Sequence, residues 1–107
     1  MERVGFRLKV RLEKMDEYVA RHAEVWPEML EALSSTGWKN YSIFLDRTDG
    51  TVFGYFETED VQASRDGMSK MAINAKWQED MAPFFVDLGG AHADRASTNL
   101  EQVFFLQ

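Results

Sequence analysis

From residue 3 to residue 12 apolar and charged side chains alternate, with Val4, Phe6, Leu8, Val10 and Leu12 on one face and Arg3, Arg7, Lys9 and Arg11 on the other. A period of two predicts a first β-strand. From about Lys14 the spacing changes to threes and fours. Met15, Tyr18, Val19, His22 and Trp26 form one stripe, continued by Met29, Leu30 and Leu33, which predicts an amphipathic helix over 14–34. Pro27 lacks an N–H, and its ring would meet the Ala23 carbonyl, so a kink or restart is expected at Trp26. Gly37, just beyond Ser34-Ser35-Thr36, supplies the stop. Trp38 to Leu45 is β-branched and aromatic, the face Tyr41, Ile43, Leu45 alternating with Asn40, Ser42, Phe44. Asp46-Arg47-Thr48-Asp49-Gly50 has the composition of a tight turn, and Thr51 to Glu57 alternates again, so the two strands are expected to form an antiparallel hairpin.

Thr58 is the expected N-cap of a second helical stretch over 60–82, which Gly67 should divide and Pro83 should end. Its Met68, Met71, Ala72, Ala75 and Met81 read as core, because methionine fills gaps. Residues 87–99, with Gly89-Gly90 and His92 among small polar residues, read as a surface loop in which His92 is solvated. Leu100 to Leu106 reads as a terminal strand, too aromatic on both faces to lie exposed at an edge. Strand, helix, strand, strand, helix, strand is the order of a ferredoxin-like α+β domain, here a single domain over 1–107, with an antiparallel sheet and both helices on one face. The opposite face, carrying Phe104 or Phe105, calls for a second copy as cover and hence a homodimer, a dimeric α+β barrel.

The helical stripe sets His22 between Tyr18 and Trp26, one turn to either side. Two readings are open: a satisfied core histidine beside a proline kink, or a titratable group in an aromatic pocket, where a general acid or base belongs. Composition narrows the partners. Hydrophobic content of 45% with 28% charged residues suits a globular protein, and no apolar run approaches the ~18 residues needed to cross a bilayer. Charge interrupts the apolar residues of the amino-terminal segment, so no signal-peptide core is present and a cytoplasmic location is expected. With no cysteine and two histidines, disulfides and thiolate metal sites are excluded, a zinc or haem site would need carboxylates or a single imidazole, and metal chemistry is not expected. A net charge of −6 with scattered Lys and Arg argues against nucleic acid and for a neutral or cationic ligand.

Three separated blocks then carry a resemblance: His22-Ala23-Glu24-Val25-Trp26-Pro27-Glu28, Asn40-Tyr41-Ser42-Ile43-Phe44-Leu45-Asp46, and Leu100-Glu101-Gln102-Val103-Phe104-Phe105-Leu106. In this order and spacing, over essentially the whole chain, they resemble the L-rhamnose mutarotase family. The resemblance implies a dimeric ferredoxin-like enzyme, free of cofactors, that interconverts the α and β anomers of L-rhamnose, or of a related 6-deoxy sugar, at C1. It implies that His22 is the catalytic acid/base and that Tyr18, Tyr41 and Trp77 line the sugar pocket; Trp26, next to His22 on the helical stripe, is a further candidate wall. Some members of that family carry two adjacent tryptophans where this chain has Lys76-Trp77. A lysine stem can cover part of a sugar face but cannot stack as an indole does, so Lys76 bears on pocket shape and sugar preference. Tyr41 also reads as a buried cross-strand aromatic and Trp77 as core packing, while Asp46 and Asp49 read as turn residues. Two rival functions share the topology: a dimeric α+β barrel monooxygenase, cofactor-free or haem-degrading, and a non-catalytic sugar-binding module.

Overall fold

A computed structural model describes residues 1–86 and 93–107. Its strands are β1 (Glu2–Lys9), β2 (Lys39–Asp46), β3 (Thr51–Thr58) and β4 (Thr98–Leu100), in the antiparallel order β2-β3-β1-β4. The helices are α1 (Met15–Ala23), α2 (Pro27–Ser35), α3 (Val61–Ser69), α4 (Ala72–Met81) and the short α5 (Ala93–Ala96). This is the ferredoxin-like arrangement expected of the strand and helix periods. Phe6 of β1 and Val52 and Phe56 of β3 turn to the buried side, whereas Phe44 and Phe53 lie on the open side, their rings 6.2 Å apart across the strands. No helix among the described residues is long and apolar enough to cross a membrane.

Several boundaries differ from the sequence expectation, each for a local reason. The helical stretch over 14–34 restarts at Trp26 as expected, and the restart is a full division into two helices. Trp26 is extended (φ −56°, ψ 134°) and Pro27 opens α2, the one helical position where a missing N–H costs nothing. The second helical stretch divides at Lys70-Met71 rather than at Gly67, because Met71 is extended and the Lys70 and Met71 amides close onto the Gly67 and Met68 carbonyls. Gly67 stays inside α3, where a β-carbon would lie 2.8 Å from the Thr36 methyl. The N-cap of α3 is Asp60, whose carboxylate accepts the Ala63 amide at 3.1 Å, and not Thr58, whose buried hydroxyl pairs with that of Ser64.

The chain after Pro83 departs furthest from expectation. Within the stretch read as a surface loop, residues 93–96 are helical and β4 already begins at Thr98; Gly89, Gly90 and His92 lie outside the described residues. β4 ends at Leu100 opposite Gly5, and 101–107 carry no secondary structure. The strand expected over 100–106 is therefore three residues long and starts earlier. Arg3, on the open face of β1, sits 3.7 Å over the Phe105 ring, a cation–π contact that takes the tail across the sheet rather than along its edge. Val103, Phe104 and Leu106 remain exposed, Val103 by 84%.

Gly54 shows how close the buried side is packed. A β-carbon there would fall 2.2 Å from the Phe6 ring, which lies directly over the Gly54 backbone in register with it. Phe6 cannot swing aside, since it is buried and packs on Phe56 and Tyr41. Gly54→Ala is expected to destabilise the fold by about 1–3 kcal/mol, the usual cost of overpacking a filled core. Urea unfolding with an unchanged midpoint would contradict it.

Candidate functional site

α1 and α4 bring His22 and Trp77 together on the helix-covered side of the sheet. The Tyr18 ring lies 4.2 Å from the His22 ring, and Trp77 meets His22 edge-on at 5.5 Å. Trp77 therefore takes the place beside His22 that the sequence stripe assigns to Trp26. The break before Pro27 turns Trp26 away from α1, and it packs edge-on against Trp77 at 5.1 Å instead. Arg21 holds the same helix pair from outside, its guanidinium 5.4 Å from the Trp77 ring and 3.2 Å from the Asp80 carboxylate.

Two adjoining cavities open against this cluster. The smaller, of about 80 Å³, reaches Tyr18, Phe6 and Arg65; the larger, of about 340 Å³, extends between α2 and α4 past Met29, Leu33 and Asn74. The larger lies at the small end of the ~300–1,000 Å³ that small-molecule sites span. His22, Trp38, Tyr41, Ile43, Trp77 and Gln78 line both. Among the described residues no group of three or more His, Asp or Glu side chains could hold a metal ion.

The hydrogen bonding of His22 fixes its chemistry. Nδ1 lies 2.9 Å from the Tyr18 carbonyl oxygen, which can only accept, so Nδ1 carries the proton and donates it. In the neutral ring Nε2 then bears the lone pair. Burial is the largest influence on this histidine and lowers its pKa below 6.5; the Tyr18 carbonyl pulls it back up and the neighbouring Arg21 charge lowers it further. Tyr18 is pushed the other way. Burial first, and Tyr41 second, raise its phenol far above 10, so it stays protonated.

β2 carries an irregularity beside the site. The register against β3 shifts between Lys39 and Ser42, and Asn40 takes the left-handed conformation (φ 50°) that asparagine tolerates. Its side-chain amide donates to Glu57 at 3.2 Å. Tyr41 shares its strand face with Ile43, which also lines both cavities, and packs on the buried side against Trp38, Phe6 and Phe56. Trp38 stacks on Phe56 with ring centres 3.8 Å apart and donates from Nε1 to the Ser64 carbonyl at 3.2 Å.

Four of the sequence-predicted site residues, Tyr18, His22, Tyr41 and Trp77, thus converge on the cavities. Two do not line them. Trp26 supports Trp77 from behind, and Lys76 is exposed, because one residue along α4 from Trp77 is a turn of about 100° toward solvent. Trp38, Gln78, Asn74 and Arg65 line the cavities unannounced. The buried stripe of α4 is Asn74, Trp77, Gln78 and Met81, with i, i+3, i+4, i+7 spacing, and a period argument that follows apolar residues only passes over the two amides.

Against known proteins, the sequence model described as L-rhamnose mutarotase matches residues 3–106. Relatives named L-rhamnose mutarotase include those of Oceanobacillus iheyensis, 42% identical over 106 residues, and Bacillus subtilis, 36% identical, with 99% of both chains covered in each case. The crystal structure of an L-rhamnose mutarotase from Formosa agariphila superposes over 100% of both chains with a TM-score of 0.83 at 28% identity. A Mycobacterium tuberculosis protein, 11% identical with a TM-score of 0.61, shares the fold alone. With the histidine, its aromatic walls and a family match spanning nearly all its residues, the chain belongs to the L-rhamnose mutarotase family.

Proposed function

We propose that this protein is an L-rhamnose mutarotase in which His22 moves the proton. The observation that carries the reading is the Nδ1 hydrogen bond to the Tyr18 carbonyl, which leaves Nε2 as a base on the wall shared by both cavities. Nε2 takes the proton of the C1 hydroxyl as the C1–O5 bond breaks. The O–H pair becomes the new C1=O1 bond, the ring oxygen keeps the C1–O5 pair, and the imidazolium returns the proton to O5. Rotation about C1–C2 exposes the other carbonyl face, and the same two transfers in reverse close the ring. Such acid/base assistance contributes about 10² to 10⁴ in rate. Tyr18, held protonated, orients an oxygen by donating to it rather than giving up its proton. Trp77 and Tyr41 offer flat faces to the C–H side of the sugar. Trp26 acts through Trp77, and Lys76 stands outside the sugar's reach. The reaction as written needs neither metal nor cofactor.

The same reading includes a homodimer closed over the open sheet face. Phe44 is 60% exposed there beside Phe53 and Leu100, and the apolar tail lies across it. Light scattering at micromolar concentration should give twice the 12.4 kDa of one chain; the mass of a single chain would remove the dimer. Exchange NMR on L-rhamnose tests the activity itself. Cross-saturation between the α and β anomeric protons should appear with catalytic amounts of protein, and its absence at enzyme-level additions would end the mutarotase reading.

A further inference from the structure

The buried side of α4 contains two amides that the proton-transfer chemistry leaves unused. Asn74 and Gln78 are 4% and 8% exposed, and Gln78 lines both cavities beside His22 and Trp77. A helix packed on a core gains by burying apolar groups there, and burying an amide costs free energy unless its hydrogen bonds are made. The two amides form a directed chain. Asn74 Nδ2 donates at 3.2 Å to the Met68 carbonyl, which can only accept, and this fixes Asn74 Oδ1 as the acceptor at the other end. Gln78 Nε2 then donates to that Oδ1 at 3.2 Å. The terminal amide of glutamine ordinarily rotates over a broad range, but here its plane and polarity are set by a backbone carbonyl in α3.

We propose that Gln78 is a specificity-determining residue, hydrogen-bonded to a ring hydroxyl of the sugar other than the one at C1, with Asn74 as its positioning residue. The inference rests on the mutarotase reading and adds to it the group that chooses among aldoses. An amide offers both a donor and an acceptor, as a sugar hydroxyl does, so one side chain can read the presence and direction of that hydroxyl. Because the amide is ordered before the sugar arrives, the contact forms without the entropic cost of fixing a free side chain. It also relocates the specificity corner. Lys76, where the sequence departs from the adjacent-tryptophan pattern, faces solvent, whereas Gln78, two residues on, faces the cavities.

The test pairs variants with substrates. Exchange NMR and saturation-transfer titrations are run on the parent, Gln78→Met and Asn74→Ala with L-rhamnose and its 2-, 3- and 4-deoxy analogues. Gln78→Met should raise KM for L-rhamnose about tenfold and leave kcat within about twofold, as expected when a hydroxyl loses its partner in a bound sugar. For the one analogue that lacks the contacted hydroxyl, parent and variant should coincide. Asn74→Ala should relax the same preference in the same direction. An equal penalty on every analogue, or none on any, overturns the assignment. Should Gln78→Met fail to fold, Gln78→Leu gives the same readout. A parent that binds these sugars without exchanging their anomers would sink the mutarotase reading, yet the titrations would still score Gln78; a parent that binds none of them overturns both.

Discussion

His22→Ala will slow anomer exchange by at least about tenfold, and by up to about 10⁴-fold, in a protein that still folds. The proton carrier is lost while Tyr18, Tyr41, Trp38 and Trp77 still wall the cavities. The parent's pH dependence should carry the same signature. Burial holds the imidazole neutral at pH 7 and lowers its pKa, so exchange should stay level above pH 6.5 and fall only at lower pH, as protonation takes the Nε2 lone pair. Stability follows with a defined sign. A histidine whose folded pKa is lowered binds fewer protons folded than unfolded, so its contribution is full above about pH 6.5 and is lost as pH falls through the folded value. Exchange NMR and thermal melts from pH 5 to 8 on parent and variant check both. Near-parental exchange in a folded His22→Ala protein would take His22 out of the mechanism.

Trp77→Ala should damage stability and sugar binding together. Trp77 is 7% exposed, packs within the core and lines both cavities, so its removal opens a void and strips a wall at once. Truncating a buried tryptophan costs about 3–5 kcal/mol, and at ~4–8 °C per kcal/mol for a domain of this size the melting temperature should drop by at least about 12 °C. Loss of the aromatic face should weaken sugar binding by ~1–3 kcal/mol, raising KM more than it lowers kcat. Trp77→Phe keeps a ring and should recover much of the first loss. A lowered melting temperature with unchanged sugar affinity would make Trp77 a core residue only.

The elements that sequence reading recovered are those where one periodicity held over a whole segment. β1, β2 and β3 alternate cleanly, and the stripe through Tyr18 and His22 is a helix as its spacing demands. Their order led to the sheet topology without further help. What could not be read depended on partners far along the chain. β4 has three residues and takes its strand character from Gly5, Phe6 and Arg7, so nothing local marks its start at Thr98. The register shift of β2 against β3 beside Asn40, which sits at positive φ, is a backbone fact that no side-chain pattern reports. Trp26 leaves its place beside His22 because the expected restart at Pro27 breaks the helical period on which that place rested. Gln78 and Asn74 escaped because polar residues at buried helical positions look, in a linear sequence, like polar residues at exposed ones.

The central position of β1 has a consequence for how this chain is made. Residues 2–9 leave the ribosome before both of their neighbours in the sheet, at 51–58 and 98–100. At a synthesis rate of about 5–20 residues per second, this segment waits on the order of seconds for its first partner. During that interval it is an unpaired alternating strand, the kind of segment that pairs with copies of itself on neighbouring nascent chains. Arg3, Arg7 and Lys9, which alternate with its apolar residues, set like charges against each other in any such pairing. The segment that organises the finished sheet thus waits unpaired while its neighbours are made, and its cations guard it before there is any fold to stabilise.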